Sequence, residues 1–518
     1  MCAHYIYKPI SWLFFAKLLI STCIFLILSL TLSLSLSLNK HIQPHISICI
    51  PNTKMGVKAE DVSVKVIRTE TVAPNQPWHD HWLPFTNLDL LVPPFDVGSF
   101  FCYKRSHESV DVTTMVDALK ASLSQALTLF YPLAGELVRN AAGEPEIHCN
   151  NKGVDFIVAA ADVKLQELNF HNPDVSIEGK LMPKRRHGVL AIQVTMLKCG
   201  GVVIATMFDH RVADGYSANM FVSSWADMTR SQPPSFLPSF RRSVLNARRP
   251  TVYTPLTANM FISLSNLPLI QIDPNMEPNF DQDLLISRIY YIEGDQLKKL
   301  QLLASENGCQ RSKLESFTSF LWKMTAKFME DSGHLDHVCN IAVAVDGRRR
   351  LAEGEGVEKE DIMAAHFGNV LSIPFGRNYS KDLKDMPLSS VANEVHKFLK
   401  SAANKDHFLE LIDWVEDQRP TPLMSRPFAG TEKAVSIMVS SGQRFSIMDK
   451  MDFGWGKLVF GSCYVPVARR DCYVMTMSSP VKTDDWIVYM HLPRKHLNYM
   501  ETHASHLFKP LTADYLKL

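Results

Sequence analysis

The sequence predicts an α/β protein of two domains, and three observations carry that prediction. At 518 residues the chain exceeds the roughly 100–200 of an ordinary domain. Apolar runs of strand period alternate along it with runs of helical period, so strands and helices are mixed throughout. Residues 231–275 break this texture: Pro233, Pro234, Pro238, Pro250, Pro255, Pro268 and Pro274 follow one another with little periodicity, as in a crossover linker. The expected organisation is a hydrophobic leader over 1–54, a first domain over 55–230, the linker over 231–275 and a second domain over 276–518.

Each element follows from its own pattern. Val62 to Thr69 alternates and reads as a strand, ended by Thr71-Val72-Ala73-Pro74, since the residue before proline resists helix. Gly98 to Lys104 is a second strand. Asp111 to Phe130 is a helix, with Met115, Leu119, Leu123, Leu127 and Phe130 on one stripe and Tyr131-Pro132-Leu133-Ala134-Gly135 as its stop. Gly153 to Ala159, Gly188 to Leu197 and Gly201 to Phe208 are strands, followed by a helix over Tyr216 to Met228. Beyond the linker, Leu284 to Ile292 is a strand and Gly294 to Ala304 a helix. Ser312-Lys313-Leu314-Glu315 is a capping box that opens a helix to Phe328. Val338 to Val345 is a strand, Asp385 to Ala402 a helix, and Ala434 to Val439, Lys457 to Phe460, Tyr473 to Met477 and Trp486 to Leu492 are strands.

Composition narrows the function. Hydrophobic residues make up 46% and charged residues 21%, the balance of a globular protein with large cores. A formal net charge of +1 lacks the basic excess that a nucleic-acid binder needs. The ten cysteines contain no Cys-x-x-Cys pair, which argues against a disulfide scaffold or zinc ribbon and for reduced thiols in the cytoplasm. Trp12 to Leu38 conflicts with that location, being almost wholly apolar and long enough to span a bilayer as an endoplasmic-reticulum signal anchor. Its Ser29 to Leu38 stretch, SLTLSLSLSL, is what a CT-dinucleotide repeat encodes, and Met55-Gly56 lies just before the first strand. The favoured reading is an over-extended start, with the anchor as the alternative and a membrane contact expected only if residues 1–54 are native.

Chemistry concentrates in His210-Arg211-Val212-Ala213-Asp214-Gly215. A histidine at the end of a buried strand is held still and can face a cleft, and its ordinary pKa near 6.5 suits it to accept a proton at neutral pH. A lone histidine on an apolar face is more often a satisfied core residue. Here Asp209, Arg211, Asp214 and Gly215 crowd the strand end, which is a polar turn built at a buried edge. A metal site would need more ligands, and nothing ties the His79-x-His81 pair to His210. Gly215-Tyr216-Ser217-Ala218-Asn219 lacks the last glycine of a nucleophile elbow, and Walker A and dinucleotide fingerprints are missing. By elimination, His210 acts on a substrate hydroxyl or amine, or on water. A second cluster, Asp452-Phe453-Gly454-Trp455-Gly456, reads by itself as a structural turn with an aromatic plug.

Together, His210-x-x-x-Asp214-Gly215 and Asp452-Phe453-Gly454-Trp455-Gly456, in that order, resemble the BAHD acyltransferases of plants. Phe85-Thr86-Asn87-Leu88-Asp89, Tyr131 to Gly135, Val345-Asp346-Gly347-Arg348 and Phe367-Gly368-Asn369 add to the likeness, which spans nearly all of 60–518. Leu88 to Lys104 and Gly188 to Trp225 look most like the coniferyl alcohol acyltransferase branch.

The resemblance implies two chloramphenicol-acetyltransferase-like domains with a channel at their interface, and a soluble monomer that takes acyl-CoA as co-substrate with no bound cofactor. His210 would deprotonate a small alcohol acceptor as it attacks the thioester, without an acyl-enzyme. Asp214 would be structural and paired with an arginine that the sequence does not identify, Gly215 would leave the channel open, and Asp452 would be required through structure. Relatives often carry a tryptophan for the oxyanion where this chain has Gly442 or Gln443. The implied acceptor is a phenylpropanoid alcohol; the alternatives are hydroxycinnamoyl transfer to shikimate, quinate or a fatty alcohol, and a catalytically silent relative that binds CoA esters or a protein. The start of the helix at Ser312, flanked by Arg311 and Lys313, is the candidate for the CoA phosphates; as a sequence feature alone it reads equally well as an ordinary capped helix. Arg348, Arg349 and Arg350 are a weaker candidate, because a basic run after a strand is usually a solvated turn.

Overall fold

A computed structural model describes residues 62–105, 111–264, 284–334, 336–429, 434–445, 447–466 and 471–518. The leader over 1–54 and part of the expected linker, 265–275, lie outside these residues. No helix among the described residues is long and apolar enough to cross a membrane.

The architecture is mixed α/β, organised around two large sheets. The first has six strands in the order Val64–Val72, Val154–Ala161, Leu190–Leu197, Val202–Asp209, Asp96–Arg105 and Gly456–Tyr464. Only the Val154–Ala161 and Leu190–Leu197 pair is parallel. The second has seven strands in the order Phe375–Tyr379, Val338–Val343, Ala434–Ser441, Asp471–Ser478, Trp486–Pro493, Leu285–Ile292 and Lys509–Pro510. A small three-stranded sheet, His81–Pro84, Pro145–Cys149 and Glu136–Arg139, was not legible in the sequence.

Every residue of Val202–Asp209 is buried, which explains why this strand reads as a continuous apolar run rather than an alternation. Helices Val112–Leu129 and Gly215–Thr229 pack against each other beside the first sheet. Buried Trp225 fixes their register by donating its Nε1–H to the Leu119 carbonyl at 3.1 Å. On the second sheet, Trp322 of helix Lys313–Asp331 does the same to the Cys339 carbonyl at 3.0 Å. A third apolar cluster joins Leu88 and Leu91 to Phe261 and to Phe408, Leu411 and Trp414 of helix Lys405–Gln418.

Two expectations change. The helix placed over Asp385 to Ala402 starts three residues later, as Leu388–Ala402, because Pro387 can stand only at its start, and Asp385 ends a separate short helix, Ser380–Asp385. The Pro-rich segment after residue 230 is not a free tether in its described part. Ser239 N–H donates to the Ala365 carbonyl at 2.7 Å, and Arg242 Nη1 donates to the Phe367 carbonyl at 3.0 Å. The chain also crosses back: Gly456–Tyr464, far down the sequence, closes the first sheet by pairing with Asp96–Arg105.

Candidate active site

His210 is the first residue past the end of Val202–Asp209, where the chain turns into helix Gly215–Thr229. Its amide donates to the Phe95 carbonyl at 3.0 Å, and its own carbonyl accepts from Asn369 Nδ2 at 3.0 Å. The same Nδ2 donates to the Arg211 carbonyl at 3.0 Å, so one buried asparagine holds both peptide groups of the turn. Asn369 is itself fixed by Asp89, whose Oδ1 accepts from the Asn369 amide at 2.7 Å and from Nδ2 at 3.1 Å. The segments Phe85 to Asp89 and Phe367 to Asn369 thus meet behind the catalytic candidate.

The His210 ring is half-buried and lies 5.2 Å from the Phe95 ring, centre to centre. Its Nδ1 is buried without a hydrogen-bond partner, while Nε2 is left to the cavity that the residue lines. Burial pushes the imidazole pKa below its ordinary value. The histidine's own backbone, Asp214, Asn369 and Asp209 offset part of that shift. A neutral imidazole at physiological pH is the form a general base requires.

Asp214 faces away from this work. Its carboxylate caps helix Gly215–Thr229 by accepting from the Ser217 amide at 2.9 Å, and it accepts a two-pronged contact from Arg348 at 2.8 and 3.1 Å. Arg348 is 2% exposed and also donates to the Gly368 carbonyl at 2.8 Å and to Ser217 Oγ at 3.0 Å. Burial alone would raise the Asp214 pKa; the Arg348 guanidinium and the hydrogen bonds from Ser217 and Val370 outweigh it and hold the carboxyl below its usual value. The missing arginine is therefore Arg348, and its reading as part of a solvated turn is corrected. Arg348 opens a short helix, Arg348–Ala352, with its own side chain turned inward. A basic run hides such a residue, because the pattern does not say which of three arginines is buried.

Asp209, the residue before His210, ends the same strand. It is 1% exposed, and Arg185 and Arg211 neutralise it at 3.2 and 2.8 Å. Gly215 lines the cavity, and a Cβ there would lie 3.1 Å from the Phe445 ring.

The second motif is a turn. Asp452 Oδ1 accepts from the Gly454 amide at 2.8 Å, and Gly454 has φ +81°, which favours glycine. Phe453 is buried against Trp225 at 4.7 Å and Tyr103 at 6.0 Å. Trp455 packs on the first core, and Gly456 begins the strand that closes the first sheet. Asp452 keeps half its side chain exposed, lies 3.6 Å from Arg230 and is not among the cavity-lining residues.

The cavity measures about 260 Å³ and lies between the two sheets. Val97, Ser99 and Phe101, alternate residues of one strand, line one side with Ser462; Met438, Ser440, Tyr473, Met475 and Met477 line the other. Neither residue at the expected tryptophan position supplies an oxyanion donor here. The Gly442 amide is bonded to the Thr476 carbonyl at 2.7 Å, and Gln443 does not line the cavity.

Arg311, Ser312 and Lys313 also lie away from the cavity lining. Arg311 is 7% exposed and donates to Asn393. Ser312 and Glu315 satisfy each other, at 2.7 Å from the Ser312 amide to Glu315 Oε2 and 3.2 Å from the Glu315 amide to Ser312 Oγ. For these two residues the geometry is that of an ordinary capped helix, because burial and capping occupy the groups that a phosphate would need. Lys313, 3.8 Å from Asp484, is partly exposed.

The model of the transferase family matches residues 62–507. The chain is 30% identical over 412 residues to a hydroxycinnamoyltransferase of Narcissus pseudonarcissus, covering 77% of this chain and 89% of that one. It is 28% identical to a shikimate O-hydroxycinnamoyltransferase of Nicotiana tabacum, covering 72% and 84%. It is 26% identical to an omega-hydroxypalmitate O-feruloyl transferase of Arabidopsis thaliana, covering 82% and 89%. Its fold is similar to that of vinorine synthase, with a TM-score of 0.62 at 18% identity over 86% of this chain and 99% of that one. A Fusarium graminearum protein crystallised with coenzyme A and T-2 mycotoxin gives 0.64 at 12% identity over 82% and 98%. With the family model spanning most of the chain, the protein belongs to the BAHD transferase family and is an acyltransferase.

Proposed function

We propose that the protein transfers an acyl group from a CoA thioester to a phenylpropanoid-type alcohol, with His210 as general base. The observation that carries this is His210 itself: a strand end braced by Asn369 and Asp89, with a neutral Nε2 facing an apolar cavity between two sheets. His210 Nε2 takes the acceptor's hydroxyl proton as its oxygen bonds to the thioester carbonyl carbon. The tetrahedral intermediate then collapses, the C–S bond breaks, and the same imidazole returns the proton to the leaving thiolate. In-line positioning and base catalysis lower the barrier. Of the hydroxyls on the second-sheet wall, Ser440 is the donor we assign to the oxyanion. Asp214 and Asp452 hold the two turns and move no proton. Lys313 is the charge we assign to the CoA phosphates. We read the protein as a monomer, and its ten cysteines without a Cys-x-x-Cys pair support the cytoplasm.

A second reading, hydroxycinnamoyl transfer, is favoured by the similarity to the Narcissus and Nicotiana enzymes. The test is to offer the purified protein a panel of acyl-CoAs, acetyl to feruloyl, against aromatic and aliphatic alcohols, and to read products by mass. An ester of a monolignol supports the first reading, and a shikimate or quinate ester the second. If no donor and acceptor pair gives product, the silent, binding-only reading replaces both.

A further inference from the structure

Among the described residues, the cavity wall carries no lysine, arginine, aspartate or glutamate. The charges close by are spent on one another: Asp214 on Arg348, and Asp209 on Arg185 and Arg211. Cys463 and Tyr473 on the wall stay neutral. Burial pushes the Cys463 thiol up to about 12 and raises the Tyr473 phenol above its ordinary value. A carboxylate entering this space would leave its hydration behind and meet no cation.

The wall does hold polar atoms that await a partner. Ser425, on strand Leu423–Ser425, is 6% exposed, lines the cavity and has no hydrogen-bond partner for its hydroxyl. Asn219 Oδ1, from helix Gly215–Thr229, is in the same position. Buried hydroxyls are rarely left unpaired, and a ligand that supplies a neutral polar group removes the anomaly.

We propose that the acceptor is an uncharged alcohol whose second polar group is met by the Ser425 hydroxyl, and that alcohols bearing a carboxylate are excluded. This rests on the alcohol-acyltransferase reading above and narrows it to neutral acceptors. It also separates this chain from the acceptors named for its relatives, since shikimate and omega-hydroxypalmitate both carry a carboxylate.

Matched pairs test it. Shikimate is compared with its methyl ester, and 16-hydroxyhexadecanoate with hexadecane-1,16-diol, each with the best donor from the panel. The neutral member of a pair that is turned over is expected to show kcat/KM higher by at least about 100-fold. Equal kcat/KM within a pair overturns the proposal. If no alcohol of either kind is acylated, the alcohol-acyltransferase reading fails instead. Ser425→Ala supplies the second arm, with p-coumaryl alcohol against cinnamyl alcohol, which differ only in the ring hydroxyl. KM for p-coumaryl alcohol is expected to rise about tenfold while that for cinnamyl alcohol holds. The same change for both alcohols, or for neither, removes Ser425 from the acceptor site.

Discussion

At the scale of the residue, the site separates two jobs that the hexapeptide places side by side. His210 is buried enough to stay neutral, and Asp214 is turned toward Arg348. Burial disfavours the imidazolium, so the pKa falls and the base remains available as pH drops. The expected pH profile of kcat/KM is flat through neutrality and declines only below about 6.5, the ordinary histidine value. An acid limb centred above 7 would contradict the assignment. Arg348→Ala leaves the Asp214 carboxylate buried and unpaired, and is expected to cost about 3–5 kcal/mol in denaturant unfolding. A loss below about 1 kcal/mol would mean that this pair does not hold the turn.

At the scale of the element, the second motif hands the chain from one half to the other. Asp452 ties the turn through the Gly454 amide, Phe453 anchors it on Trp225, and the strand that follows closes the first sheet. An exposed carboxylate 3.6 Å from Arg230 adds little by charge. The turn's hydrogen bond is the larger contribution, and an asparagine can keep it. Asp452→Asn is expected to retain activity within about threefold, while Asp452→Ala loses about 1 kcal/mol of stability, read as a lower melting temperature. Equal, large losses of activity in both variants with unchanged melting would assign Asp452 a role in the chemistry instead. The long strands and the helices Val112–Leu129 and Gly215–Thr229 were legible because one period runs through each. The three-stranded sheet was not, since four- and five-residue strands containing His81, Glu136 and Pro145 show too few apolar positions to set a period. His210 was legible from its own neighbours. Arg348, Asn369 and Asp89 became site residues only when segments far apart in the chain met, which no local pattern records.

At the scale of the whole molecule, stability and function share the desolvated interior. His366, His407 and His496 are neutral core histidines, held down to about 3, 4 and 3 chiefly by burial. The unfolded chain takes up protons near the ordinary 6.5, and the folded chain does so only near those lowered values. The stabilisation is therefore complete above about 6.5 and is lost progressively as pH falls toward 3. Equilibrium unfolding should show stability rising with pH across that window, and His496→Phe should flatten the slope; an unchanged slope would show that His496 is charged or exposed. On the proposed mechanism, the same desolvation keeps His210 neutral as a base and leaves an acceptor carboxylate no partner. The central claim, that His210 is the base of acyl transfer, is tested most directly by kcat for His210→Ala with the best donor and acceptor, alongside its melting temperature. A fall of about 10²–10⁴-fold with melting unchanged is the predicted result; turnover equal to that of the parent protein would contradict it.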